Sequence, residues 1–452
     1  MKTKTAAFTL LILALLGLSF YFFKDPLELV TKDGKIKNVY VEEGRAEAAF
    51  ENADEFPEID HLDLAKKGYL ARRIKFAEAD LTQMKLTLYR DGELYKEFEI
   101  ISKGREGSWW ETPTGKYEAL SKIELHFSSI GKVWMPWSVQ FHGNYFIHGW
   151  PYYQDGTPVS RGYSGGCIRL GTQDGKEFYH FVEKGTPVIV REEEPLNESS
   201  LIVIKNEEAP LDLTAKSYLV SELASQKILL EKGSQEVFEI NHLTQLMTAS
   251  VASDLIYLER SIIVNKNILA AVMALFDPSP GERYIAFDLL YPLMIQSSQK
   301  AADLLAGFLG RVNFVSAMNR KAEALGMANT KFEDPSGKSG NNSNARDLNK
   351  LARYIHFKQR FLFDISKGVA YRSASGLHSA ELKNANEFWT DPRLVGIKNT
   401  NAADGSQMLV SVWKLGPSGG EVPFSIIVLG SKDRVSDTNK LVNWVEHNLQ
   451  LD

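Results

Sequence analysis

The chain has one cysteine, Cys167, in Ser164-Gly165-Gly166-Cys167-Ile168-Arg169-Leu170, and a histidine nineteen residues before it, in Phe146-Ile147-His148-Gly149. A thiol with an ordinary pKa near ~8.5 is mostly protonated at neutral pH, so a catalytic cysteine needs a base or a cationic neighbour. His148, closing a short apolar run, is the candidate base. Two glycines before Cys167 let the backbone turn tightly and leave N–H groups that can stabilise an acyl-transfer oxyanion. The fork of Arg169 suits it to orient the loop or to hold a substrate carboxylate. The chemistry these residues suggest is cysteine acyl transfer; the plain alternative is a small buried thiol beside a structural histidine. One cysteine makes neither an internal disulfide nor a CxxC site. The nine histidines show no ligand spacing, so no metal and no cofactor are expected.

The elements that must position this pair read as β-rich between residues 70 and 192. Asp91-Gly92 separates two alternating apolar runs, a strong hairpin signal. Thr112-Pro113-Thr114-Gly115 predicts a second turn. Tyr145-Phe146-Ile147 reads as a strand ending at His148-Gly149, Asp174 to Glu183 as a helix, and Pro187–Val190 as a closing strand. Five of the eight tryptophans, Trp109, Trp110, Trp134, Trp137 and Trp150, fall within 109–150. They suit either a cleft lining or the packing of a small β domain.

Met135-Pro136-Trp137, Phe146-Ile147-His148-Gly149 and Tyr163-Ser164-Gly165-Gly166-Cys167-Ile168-Arg169-Leu170 together resemble the L,D-transpeptidase catalytic domain of bacterial cell-wall enzymes. That family's signature is a histidine-glycine pair, about 15 residues, then serine-histidine-glycine-cysteine; here 15 residues separate His148 from Ser164. Lys75-Phe76, Leu86 to Gly92, Thr112 to Tyr117 and Val182 to Val190 extend the resemblance over about residues 70–192. One departure stands out: Gly165 occupies the place of the motif's own histidine. The resemblance implies that Cys167 attacks the carbonyl of the third residue of a tetrapeptide stem and releases the terminal D-alanine. His148 serves as base and then acid, its ring oriented by a carbonyl near Gly149. The acyl group then passes to an amine, giving a 3→3 cross-link, or to water, as an L,D-carboxypeptidase. The amides of Gly166 and Cys167 are the expected oxyanion donors, with Ser164, Gly149 and Arg169 in support. Tyr163, Trp137 and Trp150 are expected to contact substrate.

Residues 191–214 read as a linker, through the run Arg191-Glu192-Glu193-Glu194-Pro195 and a second acidic patch at Glu207-Glu208. Beyond it strands alternate with helices, expected at Leu243–Leu258, Ser298–Leu309, Val312–Leu325 and Ala345–Ile355, with Gly326 as a C-terminal cap. Strands near Leu409–Trp413 and Phe424–Leu429 and a helix at Asp437–Leu449 should close this α+β domain. It resembles the serine D-alanyl-D-alanine carboxypeptidases, the low-molecular-weight penicillin-binding proteins. The resemblance rests on Leu243 to Ala249, Phe314 to Asn319, Ala324 to Phe332 and Asn344 to Leu348. That family's Ser-x-x-Lys falls on His242 and Gln245, its Ser-x-Asn on Ser297-Ser298-Gln299, and its Lys-Thr-Gly on Lys398-Asn399-Thr400. Without the serine and its lysine no acyl-enzyme forms by that route. A retained fold without its chemistry, a pseudoenzyme, is the expectation for residues 215–452. If the cysteine were also inert, the whole chain would be a non-catalytic peptidoglycan-binding scaffold.

Ala6 to Phe23 run without a charge, preceded by Lys2 and Lys4. Eighteen helical residues span about 27 Å, close to the hydrocarbon thickness, with the positive end on the cytoplasmic side. Residues 1–24 are therefore expected to be a transmembrane anchor, or a signal if cleaved, and residues 25–69 a polar spacer. The expected architecture is multidomain: a transmembrane helix, a β-rich domain at 70–192, a linker at 193–214 and an α+β domain at 215–452, on the periplasmic or cell-wall side of the membrane. The partners expected are peptidoglycan stem peptides and the membrane itself. A net charge of −5 from 52 basic and 57 acidic residues excludes a strongly basic nucleic-acid binder.

Overall fold

A computed structural model describes residues 60–193, 202–204, 211–264, 276–369, 382–416 and 422–451, and four short strands before residue 47. Residues 1–56 form a unit of their own, in which Leu27–Val30 pairs antiparallel with Ile36–Val39, and Val41–Glu42 with Arg45–Ala46. Residues 57–452 form one compact unit.

In its first half, Asp60 caps helix α1 (His61–Ala71) by accepting the Leu62 amide at 3.0 Å. Strands β1 (Phe76–Asp80), β2 (Lys85–Arg90) and β3 (Glu93–Glu99) follow. The β2–β3 turn is the expected one: Asp91 and Gly92 both have positive φ, 58° and 84°, as a two-residue hairpin of that twist requires. Next come β4 (Gly115–Glu118), β5 (Ser121–Ser128), β6 (Val133–His142), β7 (Tyr145–His148), β8 (Ile168–Arg169), helix α2 (Thr172–Phe181) and β9 (Pro187–Arg191). They make two sheets, β3-β2-β1-β9-β4 and β8-β7-β6-β5. Period-2 alternation sends Leu86, Leu88, Val139, Phe141, Ile147, Ile168, Val188 and Val190 into one core. The second sheet sets the site: β7 pairs with β8 in parallel, Ile147 opposite Ile168 and His148 opposite Arg169.

The second half holds β10 (Ser217–Glu222), β11 (Ile228–Lys232), α3 (Thr244–Leu255), α4 (Ala286–Gln296), α5 (Gln299–Leu309), α6 (Arg311–Ala324), α7 (Ala345–Lys358), α8 (Arg360–Ser366), β12 (Leu394–Asn401), β13 (Gln407–Leu415), β14 (Val422–Ser431) and α9 (Arg434–Asn448). The sheet runs β11-β10-β14-β13-β12. One face carries Ile426 and Val428 against Leu441, Val442 and Val445 of α9. The other carries Val410, Val412, Ile427 and Leu429 against the cluster of helices α3 to α8. Gly326 follows α6 with φ 70°, as its place in the sequence predicts.

One expectation is corrected. The structure is two domains, β-rich and α+β, and no helix among the described residues is long and apolar enough to cross a membrane. The span expected over residues 6–23 lies outside the described residues, so the anchor has no part in the fold described here. Within the segment read as a spacer, 25–69, a short helix is also expected, and the residues from His61 on begin α1, whose Leu62 packs with Phe76 and Ile189. Of the linker, residues 194–201 and 205–210 also lie outside the described residues, while Ile202–Ile204 pairs antiparallel with Leu449–Leu451.

Candidate active site

Cys167 sits immediately before β8, half-buried, with its sulfur 3.9 Å from the Asn144 carbonyl oxygen. Its loop is built by Ser164. The Ser164 Oγ accepts the Gly166 N–H at 3.0 Å and donates to the Cys167 carbonyl at 2.5 Å. The Thr112 hydroxyl donates to the Gly166 carbonyl at 2.9 Å and accepts the Gly104 N–H at 2.8 Å, so a second loop clamps the first. Gly166 has φ 101°, and a Cβ placed there would lie 2.3 Å from Tyr145 Cε1. Only glycine fits, both for its conformation and for the ring against it.

His148 ends β7, fully buried. Its Nδ1 lies 2.6 Å from the Gly149 carbonyl oxygen. A carbonyl only accepts, so Nδ1 carries the proton and Nε2 keeps its lone pair. Burial lowers its imidazole to about 4; the Gly149 bond opposes this, while Arg169 and His126 reinforce it. Burial pushes the Cys167 thiol up to about 11, against the Phe146 amide and the Arg169 charge. At neutral pH the free site therefore holds a thiol and a neutral imidazole rather than a thiolate–imidazolium pair.

Arg169 reaches the same place. Its guanidinium lies 5.8 Å from the Trp150 ring, its Nε has no hydrogen-bond partner, and burial lowers its pKa. Trp150 is held by its indole N–H on the Val159 carbonyl at 2.9 Å. Gly149 packs its Cα against α2: a Cβ there would lie 3.1 Å from Thr172 Cα. Trp137 goes elsewhere. It lies within β6 with φ 56°, and its ring meets Tyr179 and His180 of α2. Tyr163 is 67% exposed, free to meet a ligand but not organised by the fold. The Gly166 amide is engaged by Ser164, which leaves the Cys167 amide as the better oxyanion candidate. Gly165, in the place of the motif histidine, has nothing within 4 Å of its Cβ direction.

Sequence reasoning passed over two residues here. Thr112 read only as part of a turn. His126, on β5, stacks on Phe146 at 4.8 Å and adds a cationic influence on His148; it carries no spacing signal.

The second half contains a comparable cluster. His242, just before α3, lies 3.1 Å from Gln299 through its Nε2, and burial with the Lys398 charge lowers it to about 4. The Gln245 amide donates to the carbonyls of Ser297 and Ser336 at 3.0 and 2.9 Å. Lys398 is fully buried, donates to the Leu293 carbonyl and Ser297 Oγ at 2.7 and 2.8 Å, and is lowered by burial to about 7.

Comparison with known proteins divides the chain at the same place. Residues 74–190 match the family model described as the L,D-transpeptidase catalytic domain, and residues 204–412 the one described as D-alanyl-D-alanine carboxypeptidase. The chain is 30% identical over 249 residues to a D-alanyl-D-alanine endopeptidase of Pseudomonas aeruginosa, covering 52% of this chain and 78% of that protein. It is 27% identical over 263 residues to the D-alanyl-D-alanine carboxypeptidase DacC of Escherichia coli, covering 52% of this chain and 62% of that one. Among solved structures it is similar to a D-alanyl-D-alanine carboxypeptidase of Mycobacterium tuberculosis, with TM-score 0.47 and 22% identity over 54% of this chain and 95% of that chain.

Proposed function

For a chain that belongs to the D-alanyl-D-alanine carboxypeptidase family and carries an L,D-transpeptidase catalytic domain ahead of that part, we propose that the reaction is run by Cys167, as an L,D-transpeptidase on peptidoglycan stem peptides. Both parts are peptidoglycan-acting enzyme domains by family. The observation that carries the choice between them is the unequal survival of a nucleophile. Cys167 immediately precedes β8, whose Arg169 pairs with the buried His148 of β7, and the Nδ1 contact to the Gly149 carbonyl leaves Nε2 as the accepting nitrogen, whereas His242 and Gln245 stand where the second family needs a serine and a lysine.

In the reaction, Cys167 Sγ attacks the carbonyl carbon of the bond joining the third stem residue to D-alanine. The thiol proton passes to His148 Nε2. The Cys167 amide stabilises the oxyanion. Collapse breaks the C–N bond, and His148 returns the proton to the departing D-alanine amine. An acceptor amine then opens the thioester to form a 3→3 cross-link; water in its place makes the enzyme an L,D-carboxypeptidase. Arg169, over the Trp150 ring, is the cation available to a stem carboxylate beside Cys167. Such a substrate places the catalytic part on the periplasmic or cell-wall side. The second domain is read as a pseudoenzyme: its fold is kept and its acylating pair is gone.

The test is mass spectrometry of the intact chain with a tetrapeptide stem and with a carbapenem. A +acyl adduct on Cys167, together with release of D-alanine, supports the reading. A chain that releases no D-alanine and forms no adduct sinks it. Penicillin labelling that survives Cys167→Ala sinks the pseudoenzyme part.

A further inference from the structure

The loop that carries Cys167 is propped from two sides, and both props end in the second domain. The first is the β6–β7 hairpin, residues 142–145. Its Asn144 carbonyl faces the thiol, and its Tyr145 ring is the wall against Gly166. His142 stacks beside Tyr145, centroids 6.1 Å apart at 15°. That hairpin is gripped by the C-terminal end of α3. His142 Nε2 lies 2.9 Å from Asp254 Oδ2, Asn144 Nδ2 donates to the Leu255 carbonyl at 3.1 Å, and a Cβ on Gly143 would lie 2.4 Å from Leu255 Cδ2. The second prop is the loop of residues 104–112, whose Thr112 holds the Gly166 carbonyl. Its Trp109 packs on Phe287 at 5.6 Å, and its Glu111 receives Lys358 Nζ at 3.0 Å.

Asp254 is the centre of the first grip. It is buried with Lys321, whose Nζ is 2.5 Å from Oδ2, and Gln359 Nε2 donates to Oδ1 at 2.7 Å. Tyr117, Tyr145 and Tyr354 surround it. A fully partnered buried network of this kind has one geometry of low energy, because every displaced member leaves an unpaired group in a low-dielectric interior. Its position therefore passes to His142, to Tyr145 and to Gly166.

We propose that the second domain positions the cysteine loop of the first, with Asp254 and Asn144 as positioning residues, so that both domains make one catalytic unit. The proposal rests on Cys167 being the reacting group. It explains why a domain without its own acylating pair keeps its fold: α3 runs from Gln245 in the old cleft to Asp254 behind the cysteine loop, a rise of about 14 Å.

The experiment uses the full chain and two readouts: stem-peptide turnover, and alkylation of the single thiol by iodoacetamide, followed by intact mass. Asn144→Ala removes one grip without leaving a buried charge; Asp254→Asn keeps the shape of the other. Each variant is measured per folded molecule, from its thermal transition. Loss of orientation of this size lowers kcat ~10- to 100-fold for Asp254→Asn, with KM within about twofold. The same variant shifts alkylation at least about threefold, and Asn144→Ala shifts both in the same sense by less. Wild-type kcat and wild-type alkylation in both variants overturn the proposal, as does a loss of activity fully accounted for by the unfolded fraction. If the wild-type chain turns over no stem peptide, the reading of function fails separately, and alkylation alone decides the positioning role.

Discussion

The clefts of the two halves are built with similar care and differ in what stands at their centre. In the first, Ser164, Thr112 and Tyr145 hold the loop that presents the thiol, and the Gly149 carbonyl orients the His148 ring. In the second, Gln245 donates to the carbonyls of Ser297 and Ser336, and Lys398 donates to the Leu293 carbonyl and the Ser297 hydroxyl. Every polar contact just named in that cleft ties the protein to itself. The difference separates architecture from chemistry: hydrogen bonds that shape such a cluster also stabilise the core around it, so they do not depend on a nucleophile at its centre.

The largest effect tests that contrast directly. Cys167→Ala removes the only thiol and should reduce D-alanine release by ~10³-fold or more, leaving no residual acylation at the second cleft. Turnover by the variant above a thousandth of wild type would show that the two sites are not so unequal.

The electrostatics of the first site sharpen it next. With the thiol at about 11 and His148 at about 4, the free enzyme carries little thiolate at neutral pH. Below its pKa the thiolate fraction rises about tenfold per pH unit, so iodoacetamide alkylation of Cys167 should climb ~100-fold between pH 7 and 9. A plateau reached by pH 7 would reveal a preformed thiolate–imidazolium pair, and with it a different division of labour between His148 and the substrate.

The two adjacent glycines offer a finer comparison. Gly166→Ala meets Tyr145 at 2.3 Å and the Trp110 carbonyl at 2.8 Å, in a backbone with φ 101°. Overpacking of this kind should destabilise the chain by about 1–3 kcal/mol, read as a lower midpoint in urea, and should lower kcat as the thiol moves with its loop.

Much of this was legible before any coordinates. The Asp91-Gly92 hairpin, the strand ending at His148 and the helices at 299–309 and 311–324 follow from turn chemistry and periodicity. Helix α4 was not legible, since ten of its eleven residues are buried and it contains Pro292; an apolar run without a polar face has no period to read. Spacing singled out His148 and Cys167, but not Thr112, His126 or Asp254. Their roles arise from sheet pairing and from contact between halves more than one hundred residues apart, and local sequence contains neither. The uncharged stretch at 6–23, read as a span from its length and its flanking lysines, lies outside the described residues, and no helix among those is long and apolar enough to cross a membrane.

The smallest effect comes from Gly165, the one place where the cysteine motif departs from its family. A Cβ there meets nothing within 4 Å, and its φ is not among the left-handed ones. Gly165→His should therefore leave stability within about 0.5 kcal/mol, as surface substitutions do. It adds an imidazole two residues from the thiol, exposed and with no preformed partner to orient it. In the proposed reaction His148, buried and tautomerically fixed by the Gly149 carbonyl, supplies the base, so turnover should change by less than about threefold. A gain of tenfold or more, with an alkylation profile shifted to lower pH, would mean that the missing histidine limits the enzyme.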